Sequence, residues 1–373
     1  MRIAVNTRFL LKGKLEGIGV FTHESLQRIT CAHPEHEFIF IFDRPYHPSF
    51  IYSSNIIPVV IPPPARHPIL WYLWFEWALP IVLRKYKPDV LLSPDGYLSL
   101  SSNVPTLLVL HDLAFEHYPE YVPGLVGKYY KHYTPKFAQH AQRIATVSEY
   151  TKQDVMQLYG IAPAKIDVVY NGIKDVYKPL ATHAQQAVRN EYTNGAPYLV
   201  YVGSIHPRKN MVRLFQAFDA YKKQTASPDK LVIIGAKGWQ YGDIMAAYNA
   251  MTHKAEVVFM GHLEADQVAS LVASARAMAY ISIFEGFGIP IVEAFASGTL
   301  VITSNTSSMP EVAGDAALLV DPTSVEQITA AMCQLYQQPE IAEALNKRAS
   351  VQLQKFSWEQ TAQKLWASLM KTV

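Results

Sequence analysis

Short runs of β-branched and other apolar residues alternate with longer stretches of helical periodicity from one end of the chain to the other. Such alternation predicts parallel sheets covered by helices, because a parallel crossover needs a dozen or more residues and a helix fills it compactly. The runs that read as strands are 3–6, 37–42, 57–61, 90–93, 106–110, 143–147 and 167–169. Over 171–197 (NGIKDVYKPLATHAQQAVRNEYTNGAP) turn formers replace β-branched residues, which predicts a linker. Beyond it the alternation restarts, with strands at 198–202, 230–234, 256–259, 277–280, 300–303 and 317–320. Two doubly wound α/β units follow from this pattern. Ligands are expected beyond the carboxyl ends of the strands, in the cleft between two such sheets.

The most apolar stretch, 69–83 (ILWYLWFEWALPIVL), is interrupted by Glu76 and Pro80 and falls short of the roughly 20 residues a bilayer span requires. Trp71, Trp74 and Trp77 recur at helical spacing, and Arg84, Lys85 and Lys87 follow them. Two readings stay open: a buried amphipathic helix ending near Pro88, the favoured one, and a helix lying in a membrane interface. The amino terminus, MRIAVNTRFLLKGK, passes straight into a strand, without the apolar run or small-residue cleavage site of an export signal. A cytoplasmic protein is expected, at the inner face of the membrane if the interfacial reading holds.

Composition narrows the function. Of 373 residues, 50% are apolar and 17% charged, which argues against disorder, collagen and small disulfide scaffolds and leaves room for two domains. Lys and Arg number 33 against 31 Asp and Glu, a formal charge of +2 that is too balanced for a general nucleic-acid trap. Any anion site must therefore be local. Cys31 and Cys333 lack CxxC spacing, so neither a zinc site nor a stapled secreted domain is expected, and a reducing compartment fits.

The clearest candidate chemistry is FEGFGIPIVEAFASG, 284–298. Gly286 and Gly288 make a flexible turn after a strand, Pro290 suits the first helical position, and Gly298 stops the helix. The backbone amides of Gly286, Phe287 and Gly288 are expected to face a polar ligand. Glu285 falls in the turn and Glu293 in the first turn of the helix; a carboxylate can grip a vicinal diol because its two oxygens accept from adjacent hydroxyls. The plainer alternative makes Glu293 a complement to the helix dipole and Glu285 a solvated loop acid.

In YLVYVGSIHPRKNMVR, 198–213, a strand ends at Gly203 and Arg208 and Lys209 come just before a helix. Two cations beside free helix amides suit a diphosphate, Arg as a fork and Lys as a point charge; a solvated basic pair is the alternative. In KLEGIGV, 14–20, Gly17 and Gly19 read as a loop after the first strand, either open to close approach by phosphate or sugar or an ordinary βα turn. His111 and Asp112 stand at a strand's carboxyl end in LLVLHDLAFEHYP, and Ser148 reads as a helix N-cap in ATVSEY. Walker A, Gly-x-Ser-x-Gly, His-Glu-x-x-His and Cys/His metal patterns are missing, and no metal site is expected.

Together these stretches resemble the retaining glycosyltransferases of family 4, whose architecture is GT-B: two Rossmann-like doubly wound parallel-sheet domains facing a central cleft. The resemblance rests on Glu-x7-Glu within FEGFGIPIVEAFASGTLVITSNTSSMPEVAGDAALLVDP, supported in order by GIG, HDLAFEHYP, ATVSEYT, YNGI and GSIHPRKN. It implies an acceptor-side domain over 1–180, completed by a returning helix at 356–373, and a donor domain over 190–355. It also implies that Arg208 and Lys209 hold the diphosphate of a sugar nucleotide, Glu293 the ribose, and Glu285 with the amides of Phe287 and Gly288 the sugar. Gly17 and Gly19 would approach the phosphates, His111 the transferred sugar, and the base would lie near 235–237 and 260–263; Gly203, Gly235, Gly261 and Ser148 are also expected to bind donor or substrate, and Arg208, Lys209, Glu285 and His111 to be the catalytic set.

The reaction so implied is hexosyl transfer with retention, with the sugar nucleotide as co-substrate and no cofactor; the lack of an Asp-x-Asp sequence agrees with a metal-independent site. HDLAFEHYPEYVP and the aromatic helix before it most resemble mannosyltransferases of bacterial polysaccharide assembly. GDP-mannose is therefore the first donor expected and a UDP-hexose the second, with a saccharide or lipid-linked saccharide as acceptor. A nucleotide-sugar epimerase shares the fold and would convert donor without any acceptor. A catalytically silent sugar-nucleotide binder is the third reading, and the joint presence of Arg208, Lys209, Glu285 and Glu293 weighs against it.

Overall fold

The apolar runs become strands in a computed structural model that describes residues 1–236 and 242–373. Packing divides the chain into two units, Met1–Gly172 with Ser357–Val373, and Ile173–Phe356. In the first, β1 (Arg2–Asn6), β2 (Glu37–Phe42), β3 (Ile56–Val60), β4 (Val90–Ser93), β5 (Thr106–Leu110), β6 (Arg143–Thr146) and β7 (Ile166–Val168) form one sheet in the order β3-β2-β1-β4-β5-β6-β7. Every neighbouring pair is parallel. Helices cover both faces, so β4 and β5 are buried at every residue and read as apolar runs, broken at one end by Ser93 and Thr106, rather than alternating.

Strand order reverses at β1, which pairs with both β2 and β4, and such a switch point opens a crevice at the carboxyl ends. Polar residues gather there. Asn6 Nδ2 donates to Ser93 Oγ at 3.1 Å, and Arg8 Nε donates to Asp95 Oδ2 at 2.5 Å in a buried ion pair whose guanidinium lies 4.2 Å from the Tyr97 ring centroid.

The last helix, Trp358–Met370, packs on the first unit. Thr361 Oγ1 donates to the Tyr170 carbonyl at 2.6 Å, Ser368 Oγ donates to Asp167 at 2.7 Å, and Trp366 stacks on His33 at 3.8 Å. The approach is closest at Gly172, where an added Cβ would lie 2.1 Å from the Trp358 nitrogen. Gly172→Ala is therefore expected to cost about 1–3 kcal/mol, the usual range for overpacking. Calorimetry would show this as a lower Tm; an unchanged Tm would mean that the helix yields at no cost.

The aromatic helix is three joined pieces: Pro68–Leu73, a π turn over Trp74–Ala78, and Leu79–Tyr86, ended by Lys87 at a left-handed φ of 49°. The expectation of a buried helix holds for one face alone. Trp74 is fully buried and Trp71 partly so, but Trp77 is 67% exposed. Residues three apart fall 60° short of a full turn, so the tryptophan stripe winds from the core to the surface.

In the second unit, β8 (Tyr198–Val202), β9 (Lys230–Ile234), β10 (Val257–Gly261), β11 (Ala277–Tyr280), β12 (Leu300–Ser304) and β13 (Leu318–Val320) run parallel in the order β10-β9-β8-β11-β12-β13. That is the 3-2-1-4-5-6 order of a dinucleotide-type fold, with its switch point between β8 and β11. Two expectations need correction here. The linker contains a helix, Thr182–Thr193, whose sole buried residue is Thr193, so it lacks the apolar stripe by which helices are recognised. The first domain's boundary falls at Gly172 rather than at 180, because 173–180 pack with the second unit: Tyr177 hydrogen-bonds Glu293, and Pro179 lies beside Gly298.

Candidate active site

The switch point of the second unit brings two loops together. One leaves β8 through Gly203 into a 3-10 turn, Pro207–Lys209, followed by the helix Met211–Thr225. The other leaves β11 and runs to Gly288, the N-cap of the helix Ile289–Ala296. Backbone and side-chain bonds fasten them: Ile283 N donates to the Arg208 carbonyl at 2.9 Å, and Asn210 Nδ2 donates to the carbonyls of Ile281 and Pro322 at 3.1 and 2.7 Å. From the loop after β12, Ser307 Oγ accepts from Glu285 N at 3.1 Å, and Ser308 Oγ contacts the Glu285 and Phe287 carbonyls at 2.9 and 3.0 Å. Arg208, Lys209 and Glu285 are thus held from three strand ends.

Their side chains converge. Lys209 Nζ lies 2.5 Å from Glu285 Oε1 and 2.9 Å from Tyr280 Oη, while Arg208 Nη1 donates to Glu285 Oε2 at 3.1 Å and to the Phe284 carbonyl at 2.5 Å. Burial alone would raise the Glu285 pKa; Lys209 and Arg208 outweigh it and bring the carboxyl down to about 2. The reading of Glu285 as a solvated acid and of Arg208 and Lys209 as a solvated pair therefore does not describe this cluster, in which the side chains of Lys209 and Glu285 are 11% and 9% exposed. A carboxylate with both oxygens engaged by cations fixes two positive charges side by side and leaves the cluster with a net positive charge.

Glu293 has a different environment. The helix starts at Ile289, which puts Pro290 in its second position and Glu293 in its second turn, not its first, so the N-terminal dipole is not its partner. Burial raises its pKa to about 7, against the opposing influence of Lys174 and a hydrogen bond with Tyr177. Two carboxylates eight residues apart are thus driven in opposite directions by their surroundings, the signature of groups with different tasks.

The predicted glycines of this unit lie at neighbouring strand ends. Gly203 N donates to the Ile234 carbonyl at 2.9 Å and Gly235 N to the Gly261 carbonyl at 2.8 Å, continuing the ladder past β8, β9 and β10. Gly235 has φ 152°, and a Cβ there would fall 1.9 Å from the Gly203 carbonyl oxygen, so the close approach admits no side chain. Lys237, named with the expected base site, lies outside the described residues. The Phe287 side chain is buried edge-on to Phe356 at 5.5 Å, which leaves its backbone as the part available to a ligand.

Candidates in the first unit occupy separate places. Gly17 and Gly19 are not in a loop: the helix Gly17–Ala32 starts at Gly17, which is exposed with open space around it, whereas a Cβ on Gly19 would meet the Phe9 carbonyl at 2.8 Å. Gly17 thus leaves a helix start accessible, and Gly19 is required by packing. His111 follows β5, with Nε2 2.8 Å from the Pro94 carbonyl; that nitrogen must donate, which in the neutral ring leaves Nδ1 as an acceptor. Burial lowers its pKa and favours this neutral form. Asp112 accepts from Ala114 N at 3.0 Å, and Ser148 is the expected N-cap, accepting from Thr151 N at 3.0 Å. Sequence reasoning did not single out Asn210, Tyr280, Ser307, Ser308, Lys174 or Tyr177. The serines stand in the quoted NTSSMPE stretch, but the partners of the others become visible only in the fold.

Both units resemble known proteins. The family model described as Glycosyltransferase Family 4 matches residues 17–176, and that described as Glycosyl transferases group 1 matches residues 184–352. O-antigen chain mannosyltransferase B of Escherichia coli is 30% identical over 286 residues, 76% of this chain and 73% of the relative. O-antigen chain mannosyltransferase RfbU of Salmonella typhimurium is 26% identical over 284 residues, 75% of this chain and 74% of the relative. Among solved structures, sucrose-phosphate synthase from Thermosynechococcus elongatus aligns with a TM-score of 0.80 at 17% identity, over 100% of both chains. HepE of Anabaena in complex with UDP and glucose aligns with a TM-score of 0.76 at 16% identity, again over 100% of both.

Proposed function

Because this chain belongs to glycosyltransferase family 4 and is a GT-B hexosyltransferase, we propose that it moves a mannosyl group from GDP-mannose to a hydroxyl of a saccharide or lipid-linked saccharide. Configuration is retained, and the sugar nucleotide is a co-substrate rather than a bound cofactor. The sugar and the polysaccharide setting are supported by the relatives' names, which are O-antigen chain mannosyltransferases.

The observation that carries the proposal is the convergence of Arg208 and Lys209 on Glu285 at the β8/β11 switch point. As the bond from sugar to phosphate breaks, negative charge collects on the departing diphosphate and positive charge on the anomeric carbon. Arg208 and Lys209 stabilise the first, Lys209 from a buried place and Arg208 from a partly buried one, where charge is screened less than in open water. Glu285, with its pKa at about 2, is a weak base and a poor nucleophile, and its oxygens already accept from both cations. This favours orientation of the sugar hydroxyls over a covalent glycosyl-enzyme, and hence a front-side route in which the departing phosphate takes the acceptor proton. Glu293 in its ionised form accepts from the ribose diol.

A donor screen with product mass and anomeric configuration tests the whole reading. GDP-mannose is expected to give a product one hexosyl unit heavier with the donor's configuration kept. Turnover with a UDP-hexose instead would replace the donor, an inverted product would overturn the stereochemistry, and isomerised donor without acceptor would point to an epimerase.

A further inference from the structure

The helical run from Pro68 to Tyr86 turns to solvent a face that a water-soluble surface does not need. Ile69, Trp77 and Ile81 are 61%, 67% and 60% exposed, and Tyr72 and Leu73 are exposed beside them. Ile69, Leu73, Trp77 and Ile81 are four residues apart. In a regular helix such a row winds around the axis, and the wider π turn between Trp74 and Ala78 takes out part of that winding. Pro80 explains the turn: it has no N–H to offer the Glu76 carbonyl, and Leu79 N reaches back five residues to the Trp74 carbonyl. A second helix, Gly124–His140, extends the face, with Leu125 52% exposed; Pro68, Ile69 and Tyr72 line a hollow of about 500 Å3 with its Leu125, Tyr129 and Tyr133.

Charge identifies what covers this face. From 44 to 88 the single acid is Glu76, and from 121 to 148 there is none. Glu76 is turned to internal use: its carboxylate accepts from Leu100 N at 2.8 Å and Ser101 N at 3.1 Å, and its freed carbonyl accepts from Ser101 Oγ at 3.2 Å. The exposed charges on the two helices are Arg84, Lys85, Lys128, Lys131 and Lys136, all positive. A second copy of the chain would have to bring apolar surface against these like charges. A bilayer rich in anionic headgroups would accept both components: aromatic and aliphatic side chains at the acyl boundary, lysines and arginines at the phosphates.

We infer that the exposed face of Pro68–Tyr86 and Gly124–His140 is a docking surface for an anionic lipid bilayer, seated in its interface rather than across it. No helix among the described residues is long and apolar enough to cross a membrane. The inference does not depend on which sugar nucleotide is used.

The full chain is tested by sedimentation with vesicles of phosphatidylcholine alone and of phosphatidylcholine with phosphatidylglycerol. Binding is expected to the anionic vesicles, at least tenfold above the neutral ones, and to weaken with salt. Trp77→Ser with Ile81→Ser is expected to reduce it at least tenfold, and Lys128→Glu or Lys131→Glu about fivefold each on anionic vesicles. All four positions are exposed, so circular dichroism and Tm should stay unchanged; a variant that fails to fold is replaced by Leu125→Ser, expected to reduce vesicle binding in the same sense. Absence of binding to anionic vesicles, equal binding by the variants, or a dimer in light scattering that the same substitutions abolish would overturn the inference.

Discussion

Lys209→Ala is expected to lower kcat/KM for the sugar nucleotide by about 10^2–10^3-fold, the range for losing one preorganised charge donor at a reacting centre. The loss should fall on kcat more than on KM, since the leaving diphosphate gains negative charge in the transition state and Lys209 is one of the two cations assigned to it. The substitution also leaves Glu285 with Arg208 as its remaining cation in a buried place, which raises the carboxyl pKa and lowers Tm. Glu285→Gln combined with Lys209→Ala separates the two effects: stability should recover in part, and turnover should not. Steady-state kinetics and thermal melting on the same preparations check this, and unchanged kcat in Lys209→Ala would remove its role at the diphosphate.

The second large effect is on pH. In the proposed ribose role Glu293 must be ionised to accept from two hydroxyls, and its pKa of about 7 puts that change near neutral pH. Ionisation falls from roughly nine-tenths at pH 8 to one-tenth at pH 6, so donor affinity should weaken about tenfold over that interval. Donor itself, rather than a nucleoside diphosphate, is the ligand to use, because both phosphates of a sugar nucleotide are esterified and do not titrate there. The facing groups are Lys174 and Tyr177, and burial holds the Tyr177 hydroxyl protonated throughout.

The stability of the empty protein should move oppositely. A carboxyl whose folded pKa is raised contributes stability below its unfolded value, near 4.5, that is lost as pH rises through 7. Glu293→Gln is accordingly expected to flatten the affinity profile at its weak end and to raise Tm at pH 8. A tenfold pH effect that persists in Glu293→Gln would assign the titration to another group.

Much of the architecture was legible because its signal is local. The strands β2, β4, β5, β8, β9 and β11 have the bounds expected of them, since the mostly apolar run of a strand buried on both faces needs no partner to be recognised. The helix Thr182–Thr193 escaped for the opposite reason: it is polar nearly all round, and with little apolar periodicity its turn formers dominated. Gly17 and Gly19 look alike in sequence, and the Phe9 carbonyl beside Gly19 tells them apart. Glu285, Arg208 and Lys209 were legible as candidates, but their bonds span 76 and 77 residues and depend on strand order. The opposed pKa shifts of Glu285 and Glu293 were not legible, because burial and neighbouring charge are properties of the folded chain. The exposure of Trp77 was missed because a stripe at spacing three does not stay on one face.

A crystal structure of the chain with GDP tests the central claim most directly. The β-phosphate is expected within hydrogen-bond distance of Arg208 and Lys209, with the ribose hydroxyls on Glu293. Nucleotide bound elsewhere, with Glu285 still spanning both cations, would contradict it.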